Sequence, residues 1–179
     1  MEKYYTLNVA GLTRRLLICP AGEHLDIAAF IMFSDVELTV ACATELLKLA
    51  PEHDIILTAE SKGIPLAYEM ARQEGKNYIL ARKGLKLYMS SPVSVKVKSI
   101  TTDAVQTLYL DGKDAAMIKG KKVLIVDDVI STGESLHALE CLLKETGAEI
   151  AGKMAVLAEG DAADRKDIIY LEKLPLFFK

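Results

Sequence analysis

The chain has 179 residues, 51% hydrophobic and 26% charged, a balance that suits one folded domain with a real core and excludes a disordered chain. Lys plus Arg number 22 against 25 for Asp plus Glu, a net charge of −3, which gives no electrostatic reason to expect nucleic-acid binding. No apolar run approaches the roughly 20 residues of a membrane span, and the amino-terminal MEKYYTLNV lacks the layout of a secretory signal.

Tyr4 to Val9 and Arg14 to Cys19 read as two strands joined by a turn near Ala10-Gly11. Pro20-Ala21-Gly22 breaks the pattern before Leu25-Asp26-Ile27-Ala28 and an apolar run to Phe33. Ser34 with Glu37 three residues on has capping-box spacing and predicts a helix through Leu38, Ala41, Leu46 and Leu49, ending before Pro51. Asp54 to Thr58 is a short buried strand, Ala59 to Gly63 a turn, and Pro65 to about Gln73 a helix. Tyr78 to Ala81 is the next strand, ending in Arg82-Lys83-Gly84. From Lys86 to Gly112, alternation at Val93, Val95 and Val97 and at Leu108 and Leu110 predicts antiparallel strands around a polar tip, Lys98 to Asp103. Asp114 to Ile118 is a short helical or turn segment.

The chemistry concentrates in Val123 to Ser135, VLIVDDVISTGES. Val123 to Val126 is too short and too β-branched for a helix and reads as a buried strand. Asp127 and Asp128 follow, then the small, hydroxylated turn Ser131-Thr132-Gly133-Glu134-Ser135. Leu136, Leu139, Leu142 and Leu143 begin a helical face that runs to about Thr146, with Gly147 as the cap. Ile150 to Leu157 is a further strand, and the tail has apolar runs at Ile168 to Leu171 and Leu174 to Phe178. Alternating strands and helices predict one α/β domain with a parallel sheet. At the carboxyl end of such a strand, free helix-start N–H groups and hydroxyls suit a phosphate, and paired carboxylates suit sugar hydroxyls or a metal ion. A strand merely capped by acids would need only one of them. Cys19, Cys42, Cys141 and the three histidines are scattered without disulfide or zinc spacing. The cysteines read as buried thiols of a reducing compartment, and the cytoplasm is the expected location.

The buried run, the two acids and the T-G-x-S turn closely resemble the phosphoribosyl pyrophosphate (PRPP) signature of the type I phosphoribosyltransferases. Over most of the chain the resemblance is nearest to their adenine group. It implies that Asp127 and Asp128 hold the ribose hydroxyls and that Ser131, Thr132, Gly133, Glu134 and Ser135 hold the 5′-phosphate. Ala59 to Gly63 resembles that group's pyrophosphate loop, so Glu60, Ser61, Lys62 and Gly63 are implied there, with Lys62 where the family usually has Arg. Arg82, Lys83 and Lys86 match the basic segment that reaches the leaving pyrophosphate. Leu25-Asp26-Ile27 resembles an Arg-Asp-Ile stretch, which puts Ile27, with Lys62, against the base. Leu87 to Leu110 corresponds to a mobile loop that closes over the site. The adenine enzymes carry a Glu there. No Glu lies between Lys86 and Gly112, and Asp103, the nearest acid, is the candidate loop acid to substitute for it.

The resemblance thus implies the type I phosphoribosyltransferase fold as a single domain over 1–179. Its core spans about 35–157, and a hood forms from about 1–34 and 158–179. It implies transfer of the 5-phosphoribosyl group from PRPP to a purine, adenine first, in purine salvage, with release of pyrophosphate. Mg²⁺ would come with PRPP and take no ligand directly from the protein. A homodimer is expected, without nucleic-acid or membrane partners. Two alternatives stand beside this: a xanthine, guanine or hypoxanthine enzyme, and a PRPP-binding regulator without turnover. A domain that begins near the amino terminus leaves no room for an added DNA-binding module, which weighs against the regulator.

Overall fold

The computed structural model describes residues 3–98 and 105–179. Strands β1 (Tyr4–Val9) and β2 (Leu12–Pro20) pair antiparallel across Ala10 and Gly11. Both turn residues have positive φ, 51° and 75°, the backbone a two-residue hairpin needs. β3 (Leu25–Ala28) adds to β2. Helix α1 (Val36–Leu47) follows.

The cap of α1 is Asp35, not Ser34. Asp35 Oδ1 accepts from the Leu38 N–H at 3.0 Å, while its Oδ2 lies 2.7 Å from Arg14 Nε on β2. Glu37 also turns to Arg14, at 2.7 Å, instead of closing a capping box. One carboxylate here caps the helix and binds a cation, which the Ser34 hydroxyl cannot do. The Arg14 guanidinium holds the Asp35 carboxyl below its ordinary range. Leu49, expected on the helix, lies beyond its end and is half exposed.

Next come β4 (Ile55–Ala59), α2 (Ile64–Glu74), β5 (Tyr78–Ala81), the hairpin β6 (Val93–Lys98) and β7 (Val105–Leu110), and α3 (Gly112–Ile118). They are followed by β8 (Lys122–Ile130), α4 (Glu134–Thr146), β9 (Glu149–Glu159), a 3-10 turn at Gly160–Asp164, β10 (Ile169–Leu174) and β11 (Leu176–Phe178). Gly147 caps α4 with φ 72°, the left-handed geometry that favours glycine.

The main sheet is parallel throughout, in the order β10-β9-β8-β4-β5. Leu124, Val126, Met154 and Val156 pack on one face with α1, α2 and the amino-terminal strands. Val123, Ile125, Leu57 and Ala155 pack on the other with α3, α4 and the hairpin. Burial on both faces explains the continuous apolar runs of β4 and β8.

The tail divides in two. β10 joins the parallel sheet beside β9, and only β11 reaches the antiparallel sheet, against β3. The expected hood boundary at 158 therefore moves past Leu174. Ile168 and Leu174 are core residues, and their burial draws the strand into the main sheet.

Candidate functional site

The chain runs from β4 outward to β5, then returns to the other side of β4 for β8, β9 and β10. The switch of direction falls between β4 and β8, where an open parallel sheet leaves a crevice at its carboxyl edge. β8 pairs with β4 only through Ile125 but stays paired with β9 as far as Ile130. Beyond Ile125 the two strands part, and Asp127 and Asp128 stand in the opening. They lie inside a strand longer than the sequence suggests, because β9 continues to pair with it on one side.

Asp128 is buried, 3% exposed. Its N–H donates to Asp127 Oδ1 at 2.9 Å, and its Oδ2 lies 3.4 Å from Lys62 Nζ with no hydrogen-bond donor among the described residues. Burial, and then the Asp128 charge beside it, push the Asp127 carboxyl well above the ordinary carboxylate range. Asp127 also sets the shape of the neighbouring loop. A Cβ on Gly63 would meet Thr58 Oγ1 at 2.5 Å, Asp127 Oδ1 at 2.9 Å and the Asp127 backbone at 3.2 Å. The Gly63→Ala variant should therefore lose about 1–3 kcal/mol of stability through overpacking. Chemical denaturation measures it, and an unchanged midpoint would show that the loop has room to yield.

Gly63 closes the loop Glu60 to Gly63, whose Glu60–Ser61 peptide bond is cis. Glu60 organises the basic segment after β5. Its Oε1 pairs with Arg82 at 3.0 Å and lies 3.9 Å from Lys86 Nζ, and its Oε2 accepts from the Lys83 N–H at 2.8 Å. Arg82 also donates to the Tyr88 hydroxyl at 2.6 Å and lies near that ring. The Arg82 backbone exchanges hydrogen bonds with Tyr109, tying the strand end to β7.

On the other side of the crevice, the turn Ser131 to Gly133 leads into α4. Gly133 is the residue before the helix, with φ 80°, and having no side chain it makes no side-chain cap to the first turn. Thr132 Oγ1 faces the Glu134 N–H at 3.5 Å.

A cavity of about 360 Å³ opens between the amino-terminal strands and this crevice. Ile27, Phe30, Val129 and Leu174 give it apolar walls, and Lys62, Ser131 and Glu159 are its polar ones. Ile27 and Lys62 thus share one cavity. Asp103 lies outside the described residues. Thr58 and Tyr88, which reach Gly63 and Arg82 from elsewhere in the chain, carry no motif of their own and were not legible in the sequence. Among the described residues no cluster of three or more His, Cys, Asp or Glu could hold a metal ion, and no helix is long and apolar enough to cross a membrane. Cys42 is buried, and burial pushes its thiol up to about 12, whereas Cys19 and Cys141 are half-buried.

Fold and geometry define a class: α/β domains of the open parallel-sheet type, with polar side chains gathered where the strand order reverses. The phosphoribosyl transferase domain matches residues 41–174, and the chain belongs to that family. It is 38% identical over 160 residues to the hypoxanthine/guanine phosphoribosyltransferase of Methanotorris igneus, an alignment covering 84% of this chain and 83% of that one. It is 34% identical over 115 residues to the purine biosynthesis transcriptional repressor PurR of Bacillus subtilis, covering 64% of this chain and 39% of the repressor. The chain spans about 40% of the length of the purine repressors it matches. The adenine phosphoribosyltransferase of Thermoanaerobacter pseudethanolicus superposes with a TM-score of 0.70 at 20% identity, covering 88% of this chain and 95% of that one. That likeness identifies the fold as the type I phosphoribosyltransferase fold with its antiparallel hood.

Proposed function

We propose that this protein is a purine phosphoribosyltransferase, transferring the 5-phosphoribosyl group from PRPP to a ring nitrogen of a purine and releasing pyrophosphate. One observation carries the reading. Lys62 belongs to the Glu60–Gly63 loop, lies 3.4 Å from Asp128, and lines the cavity that holds Ile27 and Ser131. The implied pyrophosphate, ribose and base positions therefore meet at one side chain. The Asp pair takes the ribose hydroxyls, the Ser131–Ser135 turn the 5′-phosphate, and the Glu60–Gly63 loop with Arg82, Lys83 and Lys86 the pyrophosphate. The apolar cavity takes the base.

The site suits Mg²⁺ carried in by PRPP. Asp128 Oδ2, buried without a hydrogen-bond donor among the described residues, leaves a hard carboxylate oxygen facing the sugar and its ion, with no direct protein ligand required. When bound, the ion supplies charge stabilisation for the departing pyrophosphate. The protein's own residues orient the sugar, neutralise the leaving group and keep the cavity dry. Relatives named as hypoxanthine/guanine enzymes, at 34–38% identity, bring 6-oxopurines beside adenine as candidate bases. A homodimer in the cytoplasm remains part of the proposal.

Turnover with PRPP, Mg²⁺ and a panel of adenine, hypoxanthine, guanine and xanthine tests this reading. Product formation with at least one base is the expected result. A folded protein that binds PRPP and transfers to none of them is instead a PRPP-responsive regulator, the reading favoured by the repressor match.

Asp127 gives a second test. Its raised folded value means that this group's contribution to stability is fully present below the unfolded carboxylate value of 3.8 and is lost as pH rises through the folded one. Sugar hydroxyls donate to the ionised form, so binding PRPP near pH 6 should drive a proton off Asp127. Calorimetry in buffers of different ionisation heat reads that release, and Asp127→Asn should reduce it. The same proton count in both proteins would remove Asp127 from the ribose site.

A further inference from the structure

On the 5′-phosphate reading of the Ser131–Ser135 turn, we propose that Arg165 is an additional phosphate-binding residue, supplied to that turn from the loop between β9 and β10. Arg165 Nε and one terminal nitrogen fork onto Asp167, at 2.9 and 2.8 Å. Asp167 is bonded in turn to Lys153 of β9, which reaches Glu140 of α4 at 2.8 Å. Three elements therefore fix the guanidinium plane, and the ordering that would otherwise accompany ligand binding is already complete.

The remaining terminal nitrogen has no hydrogen-bond partner among the described residues. It lies 2.7 Å from the point a Cβ of Gly133 would occupy. Gly133 is favoured by its φ of 80°, and its lack of a side chain lets this cation approach without shifting. Arg165, Thr132, Gly133, Glu134 and His137 line one cavity of about 190 Å³. A guanidinium held edge-on beside the start of a helix suits a phosphoryl oxygen, since charged donors make the stronger hydrogen bonds. The Asp167 fork has a second effect: it holds the side chain while leaving one pair of N–H donors for the ligand. Lysine could not do both, because its ammonium offers no planar fork.

The test compares ribose 5-phosphate with inorganic pyrophosphate, each titrated calorimetrically into wild type, Arg165→Gln and Arg165→Lys. Ribose 5-phosphate should bind Arg165→Gln about tenfold more weakly or worse, with Arg165→Lys intermediate and pyrophosphate unchanged for all three. Ribose 5-phosphate binding Arg165→Gln as tightly as wild type would overturn the assignment. Equal weakening of both ligands would also overturn it, by showing a merely structural role. Should Arg165→Gln not fold, Asp167→Asn replaces it. Loosening the guanidinium should then weaken ribose 5-phosphate alone, and unchanged affinity overturns the proposal. Wild-type protein that binds neither ligand would instead overturn the phosphoribosyltransferase reading itself.

Discussion

Arg82→Gln should lower the rate of phosphoribosyl transfer by about 10²–10³-fold, the usual loss when one preorganised charge partner of a transition state is removed. The pyrophosphate that leaves carries several negative charges, and its departure is the step that most needs a cation. On the proposed function that cation is Arg82. It is three-quarters buried, its Nε has no partner among the described residues, and Glu60 and Tyr88 hold its two terminal nitrogens. Both partners set its direction while one edge stays unpaired. Glu60→Gln should show a smaller loss of the same kind, because Arg82 keeps its charge but loses an anchor. Steady-state kinetics with PRPP and the preferred base measures both variants. A rate within threefold of wild type for Arg82→Gln would mean that Lys83 and Lys86 carry the pyrophosphate alone.

Asp128→Asn is expected to fold and to lose PRPP affinity by about ten- to hundredfold, the equivalent of 1.5–3 kcal/mol for a charged hydrogen bond. Folding should survive because the carboxylate makes no helix cap and its Oδ2 has no hydrogen-bond donor among the described residues. The loss arises on binding, when sugar hydroxyls would donate to it. Lys62, 3.4 Å away, is then left without its partner charge, so the affinity of the loop for pyrophosphate should rise slightly as that of the sugar falls. Equilibrium binding of PRPP and of pyrophosphate separates the two effects. Wild-type PRPP affinity in a folded Asp128→Asn protein would remove the acids from the ribose site.

The strands and helices that rest on periodicity were legible in the sequence. Tyr4–Val9 and Tyr78–Ala81 fall on the strands expected there, and Leu136, Leu139, Leu142 and Leu143 form the buried face of α4. Ser34 was misjudged as a cap because its competitor, Asp35, draws its advantage from Arg14, 21 residues earlier in the chain. The acids were expected beyond a short strand. They lie inside a long one because β9 pairs with that strand well past the point where β4 leaves it.

The amino-acid sequence by itself determined the alternation of strands and helices, the small-residue turn before α4 and the adjacency of two carboxylates, since each depends on neighbours within a few positions. Only the tertiary structure decided that the strand order reverses beside those carboxylates and that β10 belongs to the main sheet. It alone brought Lys62 to both Asp128 and the cavity of Ile27, and Arg165 to Gly133, 32 positions away. Such meetings are set by sheet order and by which faces must be buried, and no local pattern of residues encodes them.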